Sequence, residues 1–258
     1  RVLFRSVDPI EKKPLYHFLP GSPAYSVASA GCNFRCSFCQ NWSISQMSAR
    51  DGDVGGYELK PSEIVREALA TGCKSIAYTY TEPTIFLEYA RETAILAKEK
   101  GLSNVFVTNG YMTEKAIDSM SGLLDAANVD IKFAREEEYM ELCGAHLKPV
   151  LDAVRYMSAK GIWVEATTLV VPGRNDSPGD LAYIASFLAD VDKNIHWHVS
   201  RFHPDHKFTE SGPTPPETIK RAVDIGRKAG LRFVYPGNVS PVPDTLCPGC
   251  GHRVISRT

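Results

Sequence analysis

The sequence predicts an α/β fold in which short buried strands alternate with helices and form a barrel-like sheet that does not fully close. From Ala24 onward, apolar runs of strand length alternate with longer helical patterns. Such alternation is typical of parallel strands joined by right-handed crossovers. It supplies about six strand–helix units, fewer than the eight of a complete barrel. With 43% hydrophobic residues, the chain can also bury a substantial core.

The predicted elements of the first half have recognisable helix ends. Pro61 suits the first turn of a helix, Thr113 suits an N-cap, and Gly101 suits the residue that follows a helix. The predicted strands are residues 25–29, 75–80 and 104–108, and the predicted helices are residues 61–72, 83–100 and 113–120.

The second half continues the alternation to a short closing strand. We predict strands at residues 127–131, 162–171, 195–202 and 233–235, and helices from residue 136 and at residues 149–160, 178–188 and 216–229. The division that follows is a proline-rich, extended N-terminal segment (1–23), the barrel (24–236) and a C-terminal tail (237–258) with a Cys-x2-Cys motif.

Composition excludes several functional classes. A formal net charge of -1 argues against a broad nucleic-acid surface. We find no apolar run of about 18 residues, so no membrane span is expected. The chain begins at Arg1 rather than Met, so we expect residues upstream, and no signal-peptide pattern is visible. Seven cysteines, clustered rather than spread, indicate metal binding or catalysis in a reducing cytoplasm rather than a disulfide scaffold.

The most informative segment is a cysteine-rich loop after the first predicted strand. Cys32, Cys36 and Cys39 lie within eight residues. Thiolates are the ligands of iron–sulfur clusters, and a compact loop can hold three corners of a cubane while the fourth iron stays open. A zinc-stabilised, non-catalytic binding module is the alternative, but it needs a fourth ligand, and the candidates Cys73 and His17 are remote in sequence. A ferredoxin-like electron carrier would also need a fourth cysteine nearby.

The spacing Cys-x3-Cys-x-aromatic-Cys, with Phe38 as the aromatic, resembles the signature of the radical S-adenosylmethionine enzymes. This resemblance implies a partial (βα)6 barrel and a [4Fe–4S] cluster held by the three loop cysteines. It implies that the open iron binds S-adenosylmethionine, with Phe38 against the adenine. One electron then cleaves the cofactor, and the 5′-deoxyadenosyl radical removes hydrogen from a substrate.

Later strand ends resemble cofactor-binding segments of the same family. Thr79-Tyr80-Thr81-Glu82-Pro83 is similar to a Gly-Gly-Glu-Pro segment that receives the methionine amine, with Tyr80 and Thr81 in place of the glycines. Asp130 and Lys132 alternate along a strand, so both face one side and could instead pair with each other. The residues that the resemblance implies for cofactor binding are Phe38, Gln40, Thr81, Glu82, Asn109, Asp130, Lys132 and His203.

The segments around Asn109 and Lys132, and the Phe202-His203 pair, look like those of glycyl-radical-enzyme activases, in which the histidine reaches the ribose. Residues 9–18, the run from Cys39 to Gln46 and the Cys-Pro-Gly-Cys tail resemble the AmmeMemoRadiSam-system enzymes, relatives of pyruvate formate-lyase activating enzyme. The resemblance implies a reductant such as flavodoxin or ferredoxin, and a glycyl radical enzyme as a candidate protein substrate.

Two further motifs have weaker implications. Cys247-x2-Cys250 resembles half of a zinc knuckle. His196 and His198 share one face of a predicted strand and form a candidate metal pair, although two ligands do not make a site.

Overall fold

The computed structural model describes residues 2–47 and 55–257, and its main feature is an eight-stranded sheet whose strands follow chain order. The first strand pairs antiparallel with the second, and all later pairs are parallel. The predicted open α/β barrel is therefore confirmed. Its strands are β1 (Phe4–Pro9), β2 (Pro23–Ala28), β3 (Ser75–Tyr78), β4 (Ser103–Thr108), β5 (Ala126–Asp130), β6 (Trp163–Val170), β7 (His196–Arg201) and β8 (Val234–Gly237).

Helices cover the outer face of the parallel strands. Thr113 caps its helix as predicted, because its hydroxyl accepts a hydrogen bond from Ala116 N at 3.2 Å. The predicted helix at residues 83–100 is divided into a 3-10 turn (Pro83–Phe86) and an α-helix. The α-helices are α1 (Trp42–Ser45), α2 (Pro61–Ala70), α3 (Leu87–Glu99), α4 (Glu114–Ser119), α5 (Glu136–Cys143), α6 (Leu147–Ala159), α7 (Pro178–Val191) and α8 (Pro216–Lys228).

The N-terminal segment belongs to the sheet, which the sequence did not predict. Residues 1–23 were expected to form an extended segment ahead of the barrel, but β1 pairs with β2 along its whole length. After β1, Ile10 and Leu15 are fully buried against Ala77 and other small residues at the amino-terminal ends of the strands. Burying these two side chains closes that end of the barrel, and β1 protects an otherwise open strand edge.

The C-terminal tail folds back onto the N-terminal segment. Its hairpin consists of β9 (Thr245–Leu246) and β10 (Arg253–Ile255). Beyond the hairpin, the Arg257 guanidinium donates to the carbonyl oxygen of Tyr16 at 2.6 Å. The domain boundaries themselves stay a prediction. Among the described residues, none of the helices is long and apolar enough to cross a membrane.

Candidate active site

The loop cysteines line a cavity at the carboxyl ends of the parallel strands. Its volume is about 330 Å³, and residues from β3, β4, β5 and β7 or the loops that follow them share its wall. This is the end at which parallel α/β barrels place their ligands. The predicted site residues that line the cavity are Cys32, Cys36, Phe38, Cys39, Gln40, Thr81, Glu82, Asn109, Asp130 and Lys132.

Backbone hydrogen bonds fix the cysteine loop at its start and at its middle. Arg35 N donates to Cys143 O at 2.9 Å and Ser37 N to Leu142 O at 3.0 Å, so the middle of the loop rests on the end of α5. Gly31 N donates to Ile44 O at 2.9 Å, which ties the start of the loop to α1. Gly31 has φ +93°, a conformation that favours glycine. The loop is thereby held over the cavity.

The three thiols are free and lie in a desolvated environment. Burial raises the pKa of Cys32 to about 12 and also raises the pKa of Cys39. A contact with the Cys143 thiol, together with burial, raises the pKa of Cys36. The site therefore favours neutral thiols, and thiolates form there when a bound metal supplies compensating positive charge.

The donor set is one that an iron–sulfur cluster can use, because three free cysteine thiols line the same cavity. Across residues 2–47 and 55–257, no group of three or more His, Cys, Asp or Glu side chains is arranged to hold a metal ion. A single zinc requires all its thiolates about 2.3 Å from one point, whereas each thiolate of an iron–sulfur cluster binds its own iron. Three free thiols line the cavity, whereas the Cys143 thiol that contacts Cys36 does not line it, so three cysteines are placed to hold a cluster at three corners.

Glu82 is a buried carboxylate with a fixed orientation. It is 1% exposed and accepts hydrogen bonds from Thr84 N at 3.1 Å and Asn109 N at 2.8 Å. The hydroxyls of Thr84 and Thr108 donate at 2.6 and 2.7 Å. Burial raises the pKa of Glu82 despite these contacts. All four donors are neutral, so the carboxylate charge is available to a cationic group in the cavity.

Thr81 and Asn109 shape the wall beside Glu82. The Thr81 hydroxyl donates to Ser29 O at 2.8 Å. The Asn109 amide donates to Asn33 Oδ1 at 2.7 Å and lies 3.7 Å from the Cys32 sulfur. These contacts connect the ends of β3 and β4 to the cysteine loop.

Asp130 and Lys132 form an ion pair that faces the cavity. Lys132 Nζ lies 2.8 Å from Asp130 Oδ2. Burial acts to lower the pKa of Lys132, but the Asp130 charge outweighs it and raises that pKa well above its usual value. An ammonium has three donor hydrogens. Lys132 can therefore keep its partner and still contact an anionic ligand.

Phe38 and Gln40 line the cavity from the cysteine loop, and His203 lies beside Gln40. Phe38 is 3% exposed and packs edge-on against Phe133, with ring centroids 5.5 Å apart. Gln40 Nε2 lies 3.0 Å from Nδ1 of His203. His203 is exposed and is not among the residues that line the cavity, so it reaches the site through Gln40.

Several cavity residues were not predicted from the sequence. Thr167 and Ser200 lie on β6 and β7, and their alternation with outward residues could have identified them. Tyr80 occupies a position where the resemblance implied glycine, and its φ of +66° retains a glycine-like backbone. Lys12 and Asn238 come from segments outside the predicted barrel, so no local pattern pointed to them.

The two strand histidines lie at the other end of the barrel, near the start of β7. His198 Nε2 lies 2.7 Å from Glu165 Oε2. His196 is 2% exposed, and neither ring nitrogen has a hydrogen-bond partner among the described residues. The ring centroid of His17 lies 3.8 Å from that of His196. These residues form a buried polar cluster that is separate from the cysteine loop.

Fold and cavity define a parallel α/β barrel with a thiol-lined ligand site at its carboxyl end. The chain belongs to the radical SAM superfamily, whose family model matches residues 26–188. This membership implies an iron–sulfur cluster and S-adenosylmethionine as cofactors.

The chain is also similar to other proteins in sequence and to a solved structure in fold. An uncharacterized protein of Methanocaldococcus jannaschii is 43% identical over 100% of this chain and 77% of its own length. Pyruvate formate-lyase 1-activating enzyme of Escherichia coli K12 is 22% identical over 80% of this chain and 89% of its own. The crystal structure of a radical SAM methyltransferase from Sphaerobacter thermophilus superposes with TM-score 0.65 at 20% identity, covering 85% of this chain and 67% of that one.

Proposed function

We propose that this protein is a radical S-adenosylmethionine oxidoreductase that holds a [4Fe–4S] cluster through Cys32, Cys36 and Cys39. The observation that carries the proposal is the shared cavity, on which three free thiols meet a buried carboxylate and a paired ammonium. When bound, the cluster would pass one electron from a flavodoxin or ferredoxin to the cofactor, yielding methionine and a 5′-deoxyadenosyl radical that takes hydrogen from a substrate.

The remaining side chains would bind and orient S-adenosylmethionine. The Glu82 carboxylate would accept the methionine amine, since its other partners are all neutral. Lys132 would donate to the methionine carboxylate, with Asp130 holding its ammonium in place. Phe38 would pack against the adenine, and Gln40 with His203 would contact the ribose. Thr81 and Asn109 would present polar groups beside the methionine.

A glycyl radical enzyme is the candidate protein substrate. The support is similarity to an enzyme named as a pyruvate formate-lyase activating enzyme and the resemblance of residues 9–18 and the tail to the AmmeMemoRadiSam-system group. If the proposal holds, a partner deuterated at glycine will transfer deuterium into 5′-deoxyadenosine. A reducing cytoplasm is the compartment that suits free thiols at this site.

Anaerobic reconstitution tests the cofactor assignment. We expect the wild-type protein to take up iron and sulfide in equal amounts and to develop the visible absorption of an iron–sulfur cluster. A protein that takes up zinc instead, with no visible absorption, would support the binding-module alternative.

A further inference from the structure

A second group of charged side chains lies beside the same cavity, where Lys12 and Tyr80 line it. Asp8, at the end of β1, accepts hydrogen bonds from Lys12 Nζ at 2.7 Å and Lys13 Nζ at 2.9 Å. The Tyr80 hydroxyl donates to the same carboxylate at 2.7 Å. We call Asp8, Lys12, Lys13 and Tyr80 the Asp8 cluster. Its hydrogen bonds hold the pKa of Asp8 well below its usual value in spite of burial, so the carboxylate is charged.

The Asp8 cluster carries more positive than negative charge. It holds two ammonium groups and one carboxylate. The Lys13 side chain is 0% exposed, so its buried charge neutralises Asp8. The Lys12 side chain is 56% exposed and also lines the cavity. Its hydrogen bond to Asp8 uses one of three donors. The Lys12 ammonium therefore presents surplus charge to the cavity.

Tyr80 indicates that this arrangement is built for binding. A left-handed φ of +66° is unfavourable for a residue with a side chain by about 1–2 kcal/mol. Glycine would remove that cost, but it would also remove the hydroxyl that contacts Asp8 and Lys13. Tyr80 lies two residues before Glu82, so it connects the cofactor end of the cavity to the Asp8 cluster. Strained residues of this kind concentrate at functional sites.

We propose that Lys12 binds the anionic group, a carboxylate or a phosphate, of a small-molecule substrate held in this cavity. The inference rests on the proposed function, because Glu82 and Lys132 then match the amine and carboxylate of the bound methionine and leave Lys12 without a ligand partner. A cavity of about 330 Å³ has the size of a small-molecule site. In this inference a small molecule replaces the glycyl radical enzyme as the hydrogen donor, because the backbone of a glycine loop carries no charge for the Lys12 ammonium to bind.

Titration calorimetry at low ionic strength, with S-adenosylmethionine saturating the reconstituted enzyme, tests the proposal with inorganic phosphate and with succinate as probes. Lys12→Met keeps the aliphatic stem and should weaken binding of at least one probe about tenfold, the effect of losing a charge-assisted contact. Lys148→Met is the matched control, because Lys148 also forms an (i,i+4) ion pair, with Asp152, but is 82% exposed and outside the cavity. Lys12→Arg keeps the charge and should retain binding.

Equal probe affinity in wild type and Lys12→Met, or no probe binding to the wild type, would overturn the inference. Deuterium transfer from a glycyl radical enzyme that is unaffected by Lys12→Met would also overturn it. The proposed function is read separately, from formation of 5′-deoxyadenosine by the wild type. If the wild type forms no 5′-deoxyadenosine, the proposed function is wrong, and the effect of Lys12→Met on probe binding can still be measured separately.

Discussion

Replacing Lys132 with methionine separates a cofactor contact from a structural ion pair. The ammonium of Lys132 faces the cavity and lies 2.8 Å from Asp130 Oδ2. Methionine keeps the aliphatic stem and removes the charge. If Lys132 serves the cofactor, affinity for S-adenosylmethionine falls; if it serves Asp130, the free energy of unfolding falls.

The structure sets the size of both effects. The Asp130 side chain is 33% exposed and the Lys132 side chain 16%, so water can solvate the carboxylate once its partner is gone. The stability loss should therefore stay near 1 kcal/mol, within the range of partly exposed pairs. A charge-assisted hydrogen bond to the methionine carboxylate is worth about 1.5–3 kcal/mol. Its loss raises the dissociation constant roughly ten- to a hundredfold.

Calorimetric titration of S-adenosylmethionine into each reconstituted variant, with thermal melts alongside, measures both quantities. Lys98→Met is the control, because Lys98 pairs with Asp125 away from the cavity. Unchanged affinity in Lys132→Met, combined with a sharply lowered melting temperature, would refute the cofactor role.

Three further predictions follow from the other sites. Cys36→Ala should lose the cluster while circular dichroism still reports a folded barrel, and a reducible cluster in this variant would contradict the ligand assignment. Replacing both Cys247 and Cys250 with serine should leave iron content and electron paramagnetic resonance unchanged, since neither lines the cavity; loss of the signal would make the tail a cluster ligand. Stability should fall as pH drops from 7 towards 5, because burial lowers the pKa of His196 to about 3 while the unfolded chain takes up a proton near pH 6.5. Urea titrations should show a smaller decline in His196→Phe, whose ring sacrifices no hydrogen bond, and an equal decline would assign the effect to other groups.

The periodicity of the sequence was sufficient to predict the strands of the parallel part of the sheet. Strands such as β3 and β6 are short, mostly apolar runs, and the helices between strands have local caps such as Thr113. The position of the site followed from the same pattern, because parallel strands collect their carboxyl ends at one edge. Because Cys32, Cys36 and Cys39 lie within eight residues in the loop after a strand, their position together at this edge also followed from the sequence.

Local sequence patterns did not predict the strand in the N-terminal segment or the cavity residues that come from outside the predicted barrel. The prolines and charges of residues 1–23 do not form a strand-like pattern, so β1 was not predicted. Its pairing with β2 joins residues on either side of the intervening segment. Lys12 and Asn238 reach the cavity because the segments that carry them pack at the edges of the sheet. Tyr80 contacts Asp8 from 72 residues away. Such contacts depend on how distant segments meet, which single-sequence patterns do not encode.

The most direct test of the central claim is the formation of 5′-deoxyadenosine from S-adenosylmethionine. The anaerobically reconstituted protein is mixed with the cofactor and a one-electron reductant, and the products are quantified by chromatography. We predict that methionine and 5′-deoxyadenosine form in equal amounts: one electron cleaves each cofactor, and the 5′-deoxyadenosyl radical takes its hydrogen atom from the buffer or the reductant when no substrate is present. Intact S-adenosylmethionine in the presence of a reduced cluster would contradict the proposed function.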